Sequence, residues 1–264
     1  ALDAEVDYTL WPNPYTPKAA AEIDPDYPGG DNPGTSDAVI AASAVILLAA
    51  LAQRFAVKNR RQLSPARRVS YIAVFSAIAA VLMYLEIPLF FAPPFYKIDL
   101  SEVPVLICAF YMGPVSGVVC ELLKVLLKLL LKGTSTAFVG DFANFIVGCS
   151  FVLPAAVLYH LHKSRRGALW AMAAGTLVLT VFGSLFNAWY LIPKFAELYG
   201  MPLDAIIGMG SAVNSAVHDL PTLVLFAVVP FNLLKGALVS ILTFLLYKRV
   251  ERLFFRTGGS AARP

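Results

Sequence analysis

The amino-acid sequence predicts an all-α integral membrane protein, with a six-helix bundle preceded by one additional N-terminal transmembrane helix. Composition is the first reason: 58% of the 264 residues are hydrophobic, only 14% are charged, and the mean hydropathy is +0.70. Several apolar runs approach the length of about 20 residues that a helix needs to cross a bilayer. The second reason is that basic residues gather at the ends of these runs, where they act as topology signals.

The N-terminal quarter differs from the rest of the chain. Residues 1–37 hold six prolines and eight acidic residues against one Lys, a composition that cannot bury a core and predicts an extended extracellular segment. The apolar run over 38–57 predicts the additional membrane helix, and 58–68 a basic cytoplasmic linker. Six basic residues lie between Arg54 and Arg68, so the positive-inside rule places the N-terminus outside the cell.

The sequence DNPGTSD, followed by a short apolar span and KNRR, resembles the wall-sorting tails of Gram-positive surface proteins. We therefore expect the protein in the cell membrane of a Gram-positive bacterium. The alternative, which we favour for this segment, is a simple anchor helix, because the chain continues into further membrane helices.

Six more apolar segments follow, and the second is short for a full span. They are expected at 70–91, 102–113, 115–131, 138–161, 167–192 and 221–247. The basic stretches at 161–166 and 247–256 both fall on the cytoplasmic side when the helices are counted from Arg68. The loops at 92–101, 132–138 and 193–220 are then outside, and residues 256–264 form a cytoplasmic tail.

Polar side chains within the apolar segments predict a cavity. Such groups are costly at membrane depth and usually face a bundle interior or a partner. Three pairs share a helix face at a spacing of three residues: Asp141 with Asn144, Asn187 with Tyr190, and Asn232 with Lys235. A lone Asn more often ties helices together, but three of them on separate helices favour a polar cavity.

One further helix face carries Glu121, Lys124 and Lys128, at spacings of three and four. These residues can neutralise one another. An ion pair that positions the helix and a direct contact with a ligand remain equal alternatives for this face.

Motifs of known reactions are absent from the sequence. It contains no phosphate loop, no HExxH and no GxSxG, and its three His and three Cys residues lack metal-site spacing. We therefore expect no enzyme, no catalytic residue, no bound metal and no cofactor. Nucleic acid is not an expected partner, because the basic residues form no stripe. We expect buried cysteines, solvated His160 and His162, and a capping or loop-packing role for His218.

Residues 97–148, KIDLSEVPVLICAFYMGPVSGVVCELLKVLLKLLLKGTSTAFVGDFANFIVG, resemble the substrate-binding S components of energy-coupling factor (ECF) vitamin transporters, and most closely the riboflavin-specific members. The stretch GTSTAFVGDFANF at 133–145 is the most specific part. The resemblance covers about Val69 to Phe255 and implies a six-helix S-component domain over 69–255. It also implies capture of riboflavin outside and its delivery inward, with a membrane coupling protein and two ABC-type ATPases as partners.

The resemblance assigns roles to the polar residues. Asn144, Asn187 and Lys235 are expected at the pyrimidine edge of the flavin ring, because Asn amides supply both a donor and an acceptor. The ribityl hydroxyls are expected to meet a dense set of small polar groups, namely Thr134, Ser135, Thr136, Gly140 and Asp141. Asp99 and Ser101 could close over the ligand, and Tyr190 and Asn232 complete the expected site.

Small residues on the first helix of this domain are expected to contact the coupling protein, since small faces let helices approach closely in lipid. They form two pairs, Ala73 with Ala77 and Ser76 with Ala80. Packing within the chain is the alternative.

Two other functions remain open. The ligand could be flavin mononucleotide (FMN) or another vitamin of similar size, because Lys97, Lys132 and Lys194 are expected near the outer mouth and could meet a phosphate. The chain could instead present flavin at the cell surface, with its N-terminus being the tail of a larger extracellular domain.

Overall fold

A computed structural model describes residues 43–52, 54, 64–88, 96–134, 136–250 and 252. These residues form a helical bundle with one small antiparallel hairpin. The elements are α1 Ser43–Ala52, α2 Pro65–Tyr84, β1 Ile87–Pro88, β2 Lys97–Ile98, α3 Glu102–Met112, α4 Pro114–Lys132, α5 Val139–Leu161, α6 Arg165–Phe186, α7 Ile192–Tyr199, α8 Leu203–Ser211, α9 Leu220–Leu223 and α10 Val229–Val250. Two π-helical turns, π1 at Asn187–Leu191 and π2 at Val224–Val228, connect α6 to α7 and α9 to α10.

Four helical stretches are long and apolar enough to cross a bilayer. They are α2, α5, the continuous stretch Arg165–Tyr199 and the continuous stretch Leu220–Val250. Helix α4 is 19 residues long, but four of its residues are charged. Helix α3 has only 11 residues, all buried, which agrees with the prediction that the second segment is too short to span alone. The predicted all-α membrane fold is confirmed.

Glycine and proline set the corner between α3 and α4. Gly113 has a φ of 98°, a left-handed value that side chains disfavour, and Pro114 starts α4 with its φ already fixed. Gly133, with a φ of 72°, ends α4 in the same manner. The chain therefore folds α3 back into the bundle and opens a loop directly after α4.

The core lies around α3, which packs against α2, α4, α5 and α10. Phe110 of α3 stacks on Tyr159 of α5 with 4.3 Å between ring centroids, and Tyr247 of α10 meets both rings edge-on. Gly117 lets α4 approach Ala109 of α3 closely, because a side chain there would overlap the Ala109 methyl group. Small residues allow such backbone contacts within lipid, where helix association relies on close packing.

Two exposed tryptophans lie at opposite ends of the α6–π1 stretch. Trp170 and Trp189 are 75% and 82% exposed. Nineteen residues at 1.5 Å per residue separate them by about 28 Å, close to the thickness of the hydrocarbon core. Because Trp favours membrane interfaces, this separation agrees with a stretch long enough to cross a bilayer.

Two predicted boundaries are wrong. The first segment does not continue to residue 91, because α2 ends at Tyr84 and the chain enters β1, which pairs with β2. The region 193–220 is not simply a loop, because it contains most of α7 and all of α8.

The additional N-terminal helix is described only over α1. Ala49 is 1% exposed and packs with Val118 and Val125 of α4 and with Phe145 of α5. The rest of the predicted helix and the predicted acidic segment and tail lie outside the described residues, so the division of the chain into these parts stays a prediction.

Candidate functional site

A cavity of about 720 Å³ opens at the end of the bundle where α4 passes into α5. This volume falls within the usual range for small-molecule sites, roughly 300 to 1,000 Å³. The loop between α2 and α3, the α4–α5 loop, α5, π1, α7, α8 and α10 all contribute to its wall. Every helix that carries a predicted binding residue therefore reaches this cavity.

Nine of the twelve predicted ligand residues line the cavity. They are Asp99, Thr134, Thr136, Gly140, Asp141, Asn144, Asn187, Asn232 and Lys235. Two others do not line it: Ser101 is buried beside Asp99, and the Tyr190 ring packs on Phe142 and Phe186. Ser135 lies outside the described residues. The spacing argument thus located a real cluster of polar residues, whose roles toward a ligand remain predictions.

The two deepest asparagines differ in their hydrogen bonding. Asn187 donates from Nδ2 to the Gly183 carbonyl and accepts at Oδ1 from the Tyr96 hydroxyl, both at 2.7 Å. Asn232 is 2% exposed, yet its Nδ2 has no hydrogen-bond partner among the described residues. A buried donor without a partner costs roughly 1 to 3 kcal/mol. In this structure Nδ2 is directed toward Gly183 of α6, so the amide must turn before a ligand carbonyl in the cavity can accept from it.

A network of buried charges includes Asp99, Glu102 and Lys235 of the cavity wall and continues behind the wall to Lys124 and Glu121. Lys235 Nζ lies 3.0 Å from both Asp99 Oδ2 and Glu102 Oε1, and Lys124 Nζ lies 3.4 Å from the same Glu102 oxygen. Lys124 also pairs with Glu121 at 2.5 Å. Ser101 donates its backbone N–H and its hydroxyl to Asp99 Oδ1, which explains why Ser101 is buried behind the cavity.

The three charged residues of the α4 face take different positions. Glu121 and Lys124 form the ion pair and do not line the cavity, whereas Lys128 lines it. Lys128 Nζ contacts Asp141 Oδ1 at 2.6 Å. The other carboxylate oxygen, Asp141 Oδ2, is buried and accepts no hydrogen bond from any described residue.

The segment 133–141 is shaped by threonine side chains. Thr134 Oγ1 accepts from the Phe138 N–H and Thr136 Oγ1 from the Gly140 N–H, each at 3.0 Å. Ala137 and Phe138 have positive φ angles of 43° and 67°, so the chain turns tightly into α5. These hydroxyls therefore hold the first turn of α5 in addition to lining the cavity.

Glu86 joins two lysines at the mouth of the cavity. Its Oε2 lies 2.9 Å from Lys97 Nζ and 3.0 Å from Lys132 Nζ. Partial burial raises the pKa of the Glu86 carboxyl, but the two lysine hydrogen bonds outweigh it, so the net pKa lies below the ordinary value of 4.5. Of the three lysines predicted at the mouth, Lys97 and Lys132 line the cavity and Lys194 does not.

The predictions for His218 and His160 have different outcomes. The backbone N–H of His218 and that of Asp219 both donate to Thr222 Oγ1, but it is the Asp219 carboxylate that caps α9, so the role predicted for the His218 side chain stays a prediction. The hydrogen bonds from Thr222 lower the pKa of Asp219. His160 was predicted to be solvated, which is wrong, because it is 5% exposed and its Nδ1 lies 2.8 Å from the Ala156 carbonyl oxygen. The three cysteines are buried as predicted.

The small residues of α2 point in two directions. Ala73 and Ala77 are exposed on the bundle surface. Ser76 and Ala80 are buried, and the Ser76 hydroxyl donates to the Ile72 carbonyl at 2.7 Å. Only the pair Ala73 and Ala77 is therefore available to a partner.

Sequence reasoning missed several residues of the site. Tyr96, Glu102 and Phe231 line the cavity but were not selected. Phe231 precedes Asn232, and Glu102 is an acidic residue at the start of an apolar segment, a sequence signal that could have identified it. Tyr96 had no such signal, because it follows the stretch LFFAPPF, whose fold is not evident from the sequence.

The fold and the cavity together define an α-helical membrane protein with a small-molecule site at one end of its bundle. Residues 67–247 match the family model described as ECF transporter, substrate-specific component. Because this match covers more than half of the chain, the protein belongs to that family.

Individual relatives agree with this assignment. The riboflavin transporter RibU of Staphylococcus aureus (strain TCH60) is 34% identical over 190 residues, which cover 72% of this chain and 93% of that protein. The riboflavin transporter FmnP of Bacillus subtilis (strain 168) is 29% identical over 186 residues, covering 70% and 92%. A solved S component of a bacterial ECF transporter superposes with a TM-score of 0.57 at 32% identity, covering 72% of this chain and 99% of the other.

Proposed function

We propose that this chain is the riboflavin-binding S component of an ECF transporter. It captures the vitamin outside the cell and delivers it inward when coupled to a membrane coupling protein and two ATPases. The observation that carries this proposal is a cavity of about 720 Å³ lined by Asn232 and Asp141, each of which holds a buried polar atom without a partner among the described residues. The names of the relatives from Staphylococcus aureus and Bacillus subtilis supply the ligand class.

The cavity wall matches the chemistry of a flavin ring. One part is apolar and includes Phe151, Leu179 and Phe231, which suits the dimethylbenzene end. The amides of Asn187 and Asn232 offer N–H donors to the two ring carbonyls of the pyrimidine edge. Because an unpaired buried donor is costly, a ligand with carbonyls at that edge is favoured over an apolar ligand of the same size.

The ribityl chain fits the remaining polar surface. Asp141, Thr134 and Thr136 line the cavity together, and we assign the Asp141 carboxylate as an acceptor for ligand hydroxyls. Asn144 lines this region as well, with its Oδ1 held 3.4 Å from Lys124 Nζ. A chain of hydroxyl groups can therefore find both donors and acceptors along α5.

The proposed direction of capture depends on the topology predicted from charge. With the N-terminus outside, the α4–α5 loop and the mouth of the cavity face outward. Helix α2 presents Ala73 and Ala77 to the coupling protein, and ATP hydrolysis takes place in the partner subunits. No catalytic residue of this chain is required.

FMN is the second candidate ligand. Lys97 and Lys132 line the mouth, and both are paired with the single carboxylate of Glu86, which leaves one excess positive charge there. A phosphate on the ribityl chain would reach toward these ammonium groups. Binding that is tighter for FMN than for riboflavin, and weaker after Lys97→Gln, would favour this candidate.

The test is a titration of the purified full chain in detergent with riboflavin and with FMN, followed by flavin absorption and tryptophan quenching. We expect tight binding of riboflavin that Asn232→Ala weakens about tenfold or more, since a ligand carbonyl then loses its donor. Thr243→Val is the matched control, because Thr243 is a buried polar residue of the same helix that does not line the cavity. If neither flavin binds, the proposed ligand is wrong.

A further inference from the structure

Tyr96 occupies a position that none of the preceding roles explains. It directly precedes β2 in the loop between α2 and α3, it is 5% exposed, and it lines the cavity. Its ring packs against Phe231 of α10 with 5.1 Å between centroids. Its hydroxyl donates to Asn187 Oδ1 at 2.7 Å. Tyr96, which directly precedes β2, is thus hydrogen-bonded to the side-chain amide of Asn187.

The two partners of Asn187 determine how its amide is oriented. A backbone carbonyl can only accept, so the nitrogen of the amide must be the atom that faces the Gly183 carbonyl. The oxygen then faces Tyr96, and the hydroxyl must donate, since Oδ1 has no hydrogen. Each partner excludes the flipped orientation, and both bonds are short.

The two hydrogen bonds of Asn187 leave one N–H and one oxygen lone pair of its amide available to a ligand. An Asn amide has two N–H hydrogens and two oxygen lone pairs. One hydrogen is used by Gly183 and one lone pair by Tyr96. Without the Tyr96 hydroxyl, Oδ1 would be a buried acceptor in need of a donor, and the amide would turn to find one.

We propose that Tyr96 is a positioning residue that holds the Asn187 amide so that its second N–H points to a carbonyl of the ligand ring. Through this contact Tyr96 determines specificity for a ring edge that carries an oxygen acceptor at that place. The inference rests on the proposed function, because it assumes that the ligand is a flavin.

The test combines Tyr96→Phe, Asn187→Ala and the double variant in riboflavin titrations of the full chain. Tyr96→Phe keeps the ring against Phe231 and removes only the hydroxyl. We expect it to weaken riboflavin binding about fivefold in the otherwise unchanged chain. In the Asn187→Ala background it should have no further effect, because two residues that act through one interaction are not additive. Tyr111→Phe is the control, since the buried Tyr111 hydroxyl also donates a hydrogen bond of 2.7 Å, to the Tyr247 carbonyl, but Tyr111 does not line the cavity.

A second measurement separates positioning from general support of the fold. Riboflavin analogues with sulfur in place of the ring oxygen at C2 or C4 accept hydrogen bonds poorly, so the unchanged chain should discriminate against at least one of them. Tyr96→Phe should reduce that discrimination, whereas a merely structural loss would weaken all three ligands equally. The titrations are repeated in membrane vesicles, so that reduced stability in detergent does not decide the result.

Three outcomes overturn the inference. Equal weakening by Tyr96→Phe in both backgrounds would mean that Tyr96 acts on the ligand directly or on the fold. Unchanged affinity and discrimination in Tyr96→Phe would mean that Asn187 needs no positioning. If the unchanged chain does not bind riboflavin, the proposed function itself is overturned. Because the unchanged chain is titrated before any variant, this failure is distinguished from a failure of the inference about Tyr96.

Discussion

Gly183 contacts the side-chain amides of two buried residues of the cavity, Asn187 and Asn232. Its carbonyl accepts the hydrogen bond from Asn187 Nδ2, and its missing side chain makes room for Asn232. A Cβ atom at this position would lie 3.0 Å from Asn232 Nδ2, which is closer than ordinary van der Waals contact. One glycine of α6 therefore sets the positions of polar groups on π1 and on α10.

We expect Gly183→Ala to weaken riboflavin binding about tenfold, because Asn232 must move by a few tenths of an ångström and its donor is then misdirected. Binding is measured by flavin titration, alongside the temperature of unfolding. Gly208→Ala is the matched control, since Gly208 is also helical and a Cβ atom there would meet no neighbouring atom within 4 Å. Equal affinity of the two variants would contradict this role of Gly183.

The polar residues of the site were largely predictable from sequence, and the reason is the cost of polar groups in lipid. Asp141, Asn144 and Asn232 stand out in apolar segments because such residues need an internal reason to be there. Tyr96 was not predictable in this way, since a tyrosine in a loop carries no comparable cost. Ser76 was assigned to the wrong face, because spacing alone does not tell which side of a helix meets the bundle.

At the level of elements, a single carboxylate connects three parts of the bundle. Glu102 starts α3, and its Oε1 contacts Lys124 of α4 and Lys235 of α10. Its side chain is 3% exposed and that of Lys124 is fully buried. Removing one charge from such a cluster leaves the others without full compensation.

We expect Glu102→Gln to lower the free energy of unfolding by about 3 kcal/mol, the usual cost of breaking a buried pair. Unfolding in detergent is followed by tryptophan fluorescence. Glu197→Gln removes a carboxylate that is 70% exposed and paired with Lys194, and it should change stability by less than about 1 kcal/mol. Similar losses in the two variants would show that the buried network contributes no more than a surface pair.

The hairpin at the mouth is tied to α4 through Glu86, so its attachment should depend on pH. Because the pKa of Glu86 is lowered below 4.5 in the folded protein, the bonds to Lys97 and Lys132 are complete above that value and are lost as pH falls through the lowered pKa. We expect the rate of riboflavin release to be constant from pH 7 to about pH 5 and to rise only below 4.5.

Stopped-flow flavin fluorescence measures this release. Glu86→Gln should show the raised rate at every pH, since it has no charge to lose. A pH dependence that persists in Glu86→Gln would assign the effect to another group.

The hydropathy pattern predicts the wrong structure for residues 85–88. The sequence LEIPLFF continues the apolar character of α2, so the first segment was expected to run to residue 91. The helix nevertheless ends at Tyr84, and Ile87 pairs with Ile98 and Pro88 with Lys97. An apolar run does not distinguish a helix that continues through lipid from a hairpin that folds over the bundle, so the pairing was beyond sequence reasoning.

For the whole molecule, the four apolar spans differ in how much of their surface the bundle covers. The most apolar window of α5 is 56% buried, whereas that of α2 is 28% buried. Helix α2 thus lies at the periphery, with Ala73 and Ala77 on its exposed side among larger apolar residues such as Val74 and Ile78. The described helix α1 packs on α4 and α5 through Ala49 and leaves these alanines exposed.

We expect Ala77→Trp to abolish riboflavin transport while leaving riboflavin binding unchanged. The added ring would keep a partner helix from approaching the small face of α2, but Ala77 does not line the cavity. Binding is measured on the isolated chain, and uptake in vesicles that also contain the coupling protein and the ATPases. Val181→Trp makes a similar change on α6, where Val181 is 54% exposed, and it should preserve both activities. If Ala77→Trp transports normally, the coupling protein must contact a different face, and the small residues of α2 would serve packing within lipid alone.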